Sequence, residues 1–217
     1  MLGFTLSKLN LLILVVALFS IIAYFMFSLD EIVKQNQAQL LTSKLVKNAS
    51  TTLSTATSCD RVVINLPRYL TSIGTDRLYY KLKISSADND DDPFNGNALI
   101  FSVSSIRDPD SVLGADAVRS QARIKLFYLE DTWKEQRNSG EGVLIDPQGL
   151  PPFDSIAVIK RIEVEDGKPR QVLYVIPCSV PAGTSTQSIC ASEISSVAAA
   201  AGFGETGTKG SLGEFQC

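Results

Sequence analysis

A nearly unbroken apolar run from Leu9 to Leu29 constrains this chain more than any other feature. Asn10, Ser20 and Ser28 are its only polar interruptions. An α-helix rises about 1.5 Å per residue, so about 20 residues cross a hydrocarbon layer about 30 Å thick. The run ends in aromatic residues and not in the small-residue cleavage site of a secretory signal. It therefore predicts a retained membrane helix.

The charges that flank this run predict its orientation. Lys8 precedes it, whereas Asp30 and Glu31 follow it. Positive charge tends to stay on the cytoplasmic side, so the N-terminus is expected in the cytoplasm and the rest of the chain outside. The four cysteines lack the spacing of a metal site, and paired cysteines are typical of exported domains. The prediction is a membrane-inserted protein with an extracytoplasmic domain.

The helix is expected to continue beyond the membrane. Apolar positions recur at helical spacing, with polar residues between them, at Ile32, Val33, Leu40, Leu41, Leu45, Val46, Ala49 and Leu53. No proline or glycine interrupts the chain from Phe4 to Pro67. The apolar pattern fades in the Ser- and Thr-rich stretch before Ala56, where the helix is expected to end. Residues 29–57 are interpreted as an amphipathic extension that packs on the head domain.

The segment Gly3-Phe4-Thr5-Leu6, followed by this long apolar helix, resembles the N-terminus of type IV pilins and pseudopilins. In that family a dedicated peptidase cuts after the glycine. The resemblance implies a leader of residues 1–3, a filament-core helix over residues 4–28 and assembly with copies of the same chain. The assembly positions that it implies are Phe4, Leu9, Leu12, Val16, Phe19, Tyr24 and Phe27.

Two features depart from the family pattern. Lys8 occupies the fifth mature position, where bacterial pilins usually carry a glutamate that is thought to pair with a neighbour's N-terminal amine. The three-residue leader also lacks the basic residue that usually precedes the cut. Two alternatives therefore stay open. One is an uncleaved signal anchor that holds an extracytoplasmic β binding domain, and the other is a minor pseudopilin that initiates or tips a pilus or secretion machine.

The head, residues 58–178, has the pattern of an antiparallel sheet. Apolar and polar residues alternate over residues 78–84 and 122–126, as they do in half-buried strands. Apolar runs of strand length occur at residues 62–66 and 99–103. With the long helix, this pattern predicts an α+β fold in which the helix packs on an antiparallel sheet.

The strongest turn signal in the head is Asp166-Gly167, which separates two β-rich runs within residues 156–176. This pair suits the positive φ angles of a tight hairpin turn. The run at residues 172–176 is apolar on both faces, so it is placed in the centre of the sheet. Short connections favour antiparallel pairing, and one sheet face remains for the helix to cover.

The C-terminal segment, residues 179–217, is rich in Ser, Ala, Gly and Thr. Such a segment buries little surface and is interpreted as a loop closed by a disulfide. The four cysteines allow three pairings. The favoured pairing joins Cys190 to Cys217 and Cys59 to Cys178. A loop of this kind also resembles the exposed, disulfide-bounded loop of many type IV pilin heads.

Two short motifs are candidates for modification or ion binding. Asn48 begins an N-glycosylation sequon outside the expected membrane span. Asp88, Asp90 and Asp92 have the spacing of the first half of a calcium loop. The glycine and glutamate that complete that loop motif are missing, so a solvated turn is the favoured interpretation.

The composition argues against catalysis and against nucleic-acid binding. The sequence contains no histidine, which removes Ser-His-Asp and Cys-His arrangements and histidine metal sites. Glu163 and Glu165 could serve acid–base chemistry, but beside Lys160 and Arg161 they fit a solvated strand edge. Neither an enzyme nor a cofactor is expected. A net charge of −3 without a Lys/Arg cluster also makes nucleic acid an unexpected partner.

Together with the resemblance to type IV pilins, these observations lead us to expect a structural subunit of a type IV pilus-like filament. Such a chain would first sit in the membrane and then join copies of itself at the cell surface. Its expected partners are a prepilin-type peptidase, the pilus assembly machinery and the membrane. The β head would be exposed for adhesion or surface contact.

Overall fold

A computed structural model of the chain describes residues 2–71, 77–87, 97–129, 132–136, 142–149, 153–165, 168–179 and 190–200. One helix, α1 (Leu2–Ser54), runs for 53 residues without a break. Its interior after Gly3 contains no residue that would interrupt the hydrogen-bond ladder. The expected membrane span and the expected packed extension are therefore one continuous rod.

The described part of the head contains eleven strands in three sheets. They are β1 (Cys59–Asn65), β2 (Leu70–Thr71), β3 (Arg77–Leu78), β4 (Tyr80–Ala87), β5 (Asn97–Ser105), β6 (Val112–Ser120), β7 (Arg123–Leu129), β8 (Trp133–Gln136), β9 (Val143–Ile145), β10 (Ser155–Glu165) and β11 (Lys168–Cys178). A five-stranded sheet has the order β1-β10-β11-β7-β8, a four-stranded sheet has the order β6-β5-β4-β9, and β2 pairs with β3. Among these pairings only β11 with β7 is parallel. The fold is α+β, with α1 packed on mostly antiparallel sheets.

The main hydrophobic core lies between the two larger sheets and α1. In β4, Tyr80, Leu82 and Ile84 are buried and alternate with more exposed residues, as the sequence pattern predicted. The five-stranded sheet adds Ile124 and Leu126 of β7 to the same core. The helix is therefore held by two sheets rather than by the single sheet that the sequence indicated.

The five-stranded sheet is covered on both faces. Its second face packs against α2 (Ala191–Ala200), a helix within the segment that was expected to be a loop. Ile194 and Val197 of α2 share a buried cluster with Tyr174 and Ile176 of β11. The sequence indicated one buried face, covered by the long helix, and gave no sign of this second cover, whereas the central position of β11 is confirmed.

The hairpin expected in the head is present. β10 and β11 pair antiparallel from Ser155 with Cys178 to Glu165 with Lys168. Two residues connect the paired ends, as expected for a tight turn. The Asp166-Gly167 pair itself lies outside the described residues.

The disulfide pairing that was favoured from the sequence is wrong. Cys178, at the end of β11, is bonded to Cys190, immediately before α2, and their Cα atoms are 5.3 Å apart. Both cysteines are buried because α2 folds back onto β11. Cys59 is also disulfide-bonded. Cys217 lies outside the described residues.

Several basic residues of the five-stranded sheet are buried, contrary to the solvated edge that was expected. Lys160 and Arg161 lie on β10, which is flanked by β1 and β11 and is therefore not an edge strand. Lys125 of β7 is buried as well, although its alternation with apolar residues predicted an exposed face. Successive side chains of a strand point to opposite faces, so this burial reflects the packing on both faces of the sheet.

Glu163 belongs to a half-buried polar network and not to a solvated strand face. Lys125 Nζ lies 3.3 Å from Glu163 Oε2, and the hydroxyl of Tyr174 donates a hydrogen bond to the same carboxylate. Burial raises the pKa of Tyr174 above its ordinary value, and Glu163 raises it further. This network links β7, β10 and β11 beneath α2. The side chain of Glu165 lies outside the described part of the structure.

Candidate assembly surface

The two halves of α1 have opposite environments. In the half that lies on the head, Ala38, Leu41, Leu45 and Ala49 are buried, at spacings of three and four residues. This spacing places them on one side of the helix. The half that precedes Asp30 makes no comparable contact. The helix thus carries the head at one end and presents a free apolar surface at the other.

A close approach between α1 and β6 holds the packed half in place. A Cβ atom added to Gly114 would lie 2.7 Å from the backbone nitrogen of Gln39 and 2.8 Å from the backbone carbon of Ala38. Glycine is therefore required for the strand to reach the helix backbone. Nearby, Ser43 Oγ donates a hydrogen bond to Asp116 Oδ2 at 2.9 Å. Helix and head are joined by packing that leaves no room for an additional methyl group.

The free half of α1 is exposed all round. No part of its most apolar 18-residue stretch is buried, and the helix has the length and composition to cross a membrane. The exposed fraction of the side chain reaches 77% at Phe27. The other assembly positions whose side chains are described, all exposed, are Leu9, Leu12, Val16, Phe19 and Tyr24. A helix that is apolar on every side needs lipid or protein neighbours around it.

One polar side chain within the apolar run is satisfied by the helix itself. Ser20 Oγ donates a hydrogen bond to the backbone carbonyl of Val16 at 2.9 Å, as a hydrocarbon environment would require. Asp30 and Lys34 form an ion pair one turn apart directly after the apolar run. These charges mark the end of the apolar stretch of α1.

The residues at which the pilin resemblance implies processing lie at the start of the same helix. Gly3 and Phe4 are in the first turn of α1, where backbone N–H groups have no partner within the helix. The first helical turn is also where helices fray. A peptide bond in this position is easier to expose to a peptidase than one in the interior of the helix.

Two exposed apolar side chains, separated by the polar Asn36, lie past the charges on the half of α1 that carries the head. Ile32 and Leu40 were expected to pack on the head, but their side chains are 57% and 59% exposed. At about 100° per residue they share one face of the helix, about 80° wide, with Leu29 and Phe25. This face, defined here as the outer stripe (Phe25, Leu29, Ile32 and Leu40), points away from Leu45, which is buried against the head.

A cleft lies where α1 meets the end of the head that is nearest to the apolar run, called here the lower end of the head. It has a volume of about 490 Å³ and is lined by Glu31 and Lys34 of α1 together with residues of the head. Arg77, Tyr79 and Arg107 are exposed members of the lining. Sequence reasoning missed this cleft because its residues come from four separate segments and carry no local motif.

The remaining candidate residues do not converge with this surface. Asn48 lies in the packed half of α1 and donates to the backbone carbonyl of Lys44 at 2.9 Å, so its sequon is helical. Asp88, Asp90 and Asp92, the candidates for calcium binding, lie outside the described residues. Neither motif contributes to the apolar surface of α1.

Comparisons with protein-family models, with curated proteins and with solved structures found no match. The fold itself defines the class. It is an α+β protein with a long apolar N-terminal helix and a disulfide towards its C-terminal end. This architecture is compatible with a pilin-like protein and with a membrane-anchored protein. The apolar helix and the disulfide indicate membrane anchoring or secretion.

Proposed function

We propose that this chain is the structural subunit of a type IV pilus-like extracellular filament. The observation that carries the proposal is the contrast between the two halves of α1. The packed half buries one side against its own head, whereas the free half is uncovered on every side. Burial of apolar surface contributes about 25 cal/mol per Å². Exposure of the uncovered half to water would therefore be costly, so a subunit that leaves the bilayer needs neighbouring copies of the same helix to cover it.

The outer stripe favours a filament over a simple membrane anchor. Leu40 follows Leu29 by eleven residues, about 16.5 Å along the helix, so lipid cannot cover it when the apolar run fills the hydrocarbon layer. A single-pass anchor would leave this side chain in water. Neighbouring helices in a filament core would cover it, because Leu40 lies on the same face as Leu29. Ile32, at the level of the headgroups, lies on this face as well and extends the proposed contact surface towards the head.

The proposal includes processing by a prepilin-type peptidase between Gly3 and Phe4. Before the cut the chain would sit in the membrane with its N-terminus in the cytoplasm. After assembly the helix would form the filament core, and the two-sheet head would form the outer surface available for adhesion. The role is structural, and no catalytic step is assigned to any residue.

The test is intact-mass spectrometry of the protein purified from its native cell surface without reduction. The expected mass corresponds to a chain that begins at Phe4. A mass that retains residues 1–3 would favour the second candidate, a single-pass surface protein with an extracytoplasmic β domain. The observation that favours this candidate is Lys8, which replaces the glutamate expected in a bacterial pilin. The same residue would suit a minor pseudopilin, which is cut but forms no bulk filament.

A further inference from the structure

The cleft between α1 and the lower end of the head lies at a defined depth relative to the apolar run. Glu31 and Lys34, which line it, follow Leu29 by two and five residues. At about 1.5 Å per residue these positions are about 3 Å and 7.5 Å beyond Leu29, where the apolar run ends. The polar headgroup layer of one leaflet is about 5–7.5 Å thick. When the apolar run fills the hydrocarbon layer, the cleft therefore opens at the level of the lipid headgroups.

The residues around the cleft suit this depth. Tyr79 and Ile106 have side chains that are 41% and 36% exposed at its rim. Tyrosine is enriched at membrane interfaces because it combines an apolar ring with a polar tip. Tyr69 is exposed in the same region, and the guanidinium of Arg77 lies 4.6 Å above its ring. The lower end of the head thus presents the residue types that lie in the headgroup layer of membrane proteins.

The charges in the cleft suit a phosphate. Its lining contains the cations Lys34, Arg77 and Arg107 and the carboxylates Glu31 and Asp108. Lys34 is already paired with Asp30, which precedes the cleft on α1. The guanidinium groups of Arg77 and Arg107 are planar donors. The arrangement of N–H groups on a guanidinium matches the geometry of phosphate oxygens. The carboxylates provide acceptors for an amine or hydroxyl group on the same ligand.

From this depth, lining and charge we propose that the cleft binds the headgroup of a membrane phospholipid, with Arg77 and Arg107 on its phosphate. The proposal rests on the membrane-inserted state described under Proposed function. It adds a role for the head before assembly. The bound lipid would hold the lower end of the head on the bilayer surface, so that the subunit has a fixed orientation before it joins the filament.

The experiment uses the full chain in nanodiscs of phosphatidylethanolamine and phosphatidylglycerol. The only tryptophan of the sequence, Trp133, is replaced by Phe, and single reporters are introduced as Phe19→Trp, Ile106→Trp and Ala117→Trp. Phe19 reports insertion, Ile106 reports the cleft, and Ala117 is a distal control. Ala117 pairs with Ile100 of β5, about 20 Å along the strand from Ile106 at about 3.3 Å per residue.

Nitroxide-labelled phospholipids then quench the reporters according to depth. A label in the acyl chain should quench the Phe19→Trp variant. A headgroup label should quench Ile106→Trp by about twofold or more relative to Ala117→Trp, because only the cleft lies within the headgroup layer. If replacement of Trp133 lowers the yield of folded protein, the same variants are compared with a parent that retains it.

The phosphate contact is tested by native mass spectrometry of protein extracted from the same nanodiscs. The parent should retain one phospholipid. The double substitution Arg77→Gln and Arg107→Gln should lower the affinity for the lipid about a hundredfold, about tenfold for each arginine whose charge-assisted hydrogen bond is lost. Arg119→Gln, at an exposed arginine of β6, is the matched control and should retain the lipid.

The possible outcomes separate the two proposals. If Phe19→Trp is quenched but Ile106→Trp is quenched no more than Ala117→Trp, the lipid-binding inference is wrong and the filament proposal is unaffected. If Phe19→Trp is not quenched, membrane insertion fails and both proposals fall. If soluble glycerol phosphate displaces the lipid from extracted protein, the cleft is a general phosphate site and the membrane assignment is overturned.

Discussion

Lys160 of β10 reaches the end of α1, where its ammonium donates hydrogen bonds to the backbone carbonyl and to the hydroxyl oxygen of Thr55, the second at a distance of 2.9 Å. Thr55 directly follows the last residue of the helix. The last carbonyls of an α-helix have no partner within the helix, and cationic side chains near that end are favourable. A buried lysine therefore fixes the end of α1 to an interior strand of the five-stranded sheet.

This contact predicts that Lys160→Met destabilises the protein. The substitution keeps the length of the side chain but leaves the carbonyl of Thr55 without its donor, so the free energy of unfolding should fall by about 1–3 kcal/mol. Lys168→Met, at an exposed position of the adjacent strand, is the control and should change the stability by less than about 0.5 kcal/mol. Urea denaturation in detergent measures both variants. Equal stabilities would contradict the anchoring role of Lys160.

The close approach of β6 to α1 predicts that Gly114→Ala is destabilising. The new methyl group would meet backbone atoms of Ala38 and Gln39, which cannot move without shifting the helix. A cost of about 1–3 kcal/mol is expected for overpacking of this kind. Ala115→Val, at the next and exposed position of the strand, is the control. A Gly114→Ala variant as stable as the parent in thermal unfolding would mean that the helix sits farther from the sheet.

The outer stripe predicts that Leu40→Gln blocks assembly without affecting folding. Leu40 is exposed in the isolated subunit, so its replacement should leave unfolding within about 0.5 kcal/mol of the parent. Filament yield from the cell surface, measured by shearing and electron microscopy, should fall. Lys44→Gln introduces the same residue one turn further along the helix and should leave the yield unchanged. Normal yield from the Leu40→Gln variant would exclude this side chain from the subunit contact.

Two buried tyrosines predict a loss of stability at alkaline pH. Burial raises the pKa of Tyr80 and of Tyr174 above the ordinary value near 10, and Glu163 adds to the shift at Tyr174. Above that pH the unfolded chain loses these protons while the folded protein keeps them. The unfolded state then binds fewer protons, so the free energy of unfolding decreases as pH rises.

Each of these tyrosines should contribute up to about 1.4 kcal/mol per pH unit to the slope. Tyr174→Phe should remove about one such contribution when urea unfolding is measured between about pH 9 and pH 11. Tyr79→Phe, at an exposed neighbour of Tyr80, should leave the slope as it is in the parent. A slope that is the same in the parent and in Tyr174→Phe would show that Tyr174 ionises as freely in the folded protein as in the unfolded chain.

The disulfide arrangement predicts the result of peptide mapping without reduction. A peptide pair linked through Cys178 and Cys190 should be recovered. Because Cys59 is also bonded and the sequence has four cysteines, the second pair is expected to join Cys59 to Cys217. Recovery of a Cys59–Cys178 pair would contradict the position of α2 against β11.

Local patterns were sufficient for the parts of the fold whose burial follows sequence spacing. The unbroken run of helix-forming residues predicted α1, and the Asp166-Gly167 turn predicted the β10–β11 hairpin. The apolar character of β11 on both faces predicted its central position. In each case a short segment contains the full signal, because period, turn chemistry and burial agree.

Other features depended on contacts between distant segments. β6 carries Gly114 and Asp116 in its middle and was not recognised, because it is held by pairing with β5 and by contact of Gly114 with α1. α2 was taken for a loop because its small residues bury little surface until they meet the back of β11. Lys125 was expected to face solvent because alternation cannot show that Glu163, on a distant strand, pairs with it.

The candidate surface was predictable in its apolar half and not in its extension. Leu9 to Leu29 are exposed as a hydrophobic span should be. Leu40 and Leu41 are adjacent apolar residues, and the apolar pattern alone did not show which of the two side chains would face the head. The cleft formed by Glu31, Arg77 and Arg107 required the complete fold.

The central claim is that the free half of α1 is the core of a filament. It is tested most directly by shearing filaments from native cells, purifying them and determining their structure by electron cryomicroscopy. The account predicts filaments built from this chain, with residues 4–28 packed against the same helix of neighbouring copies and the heads outside. Recovery of the chain only in the detergent-solubilised membrane fraction, with none in sheared filaments, would contradict it.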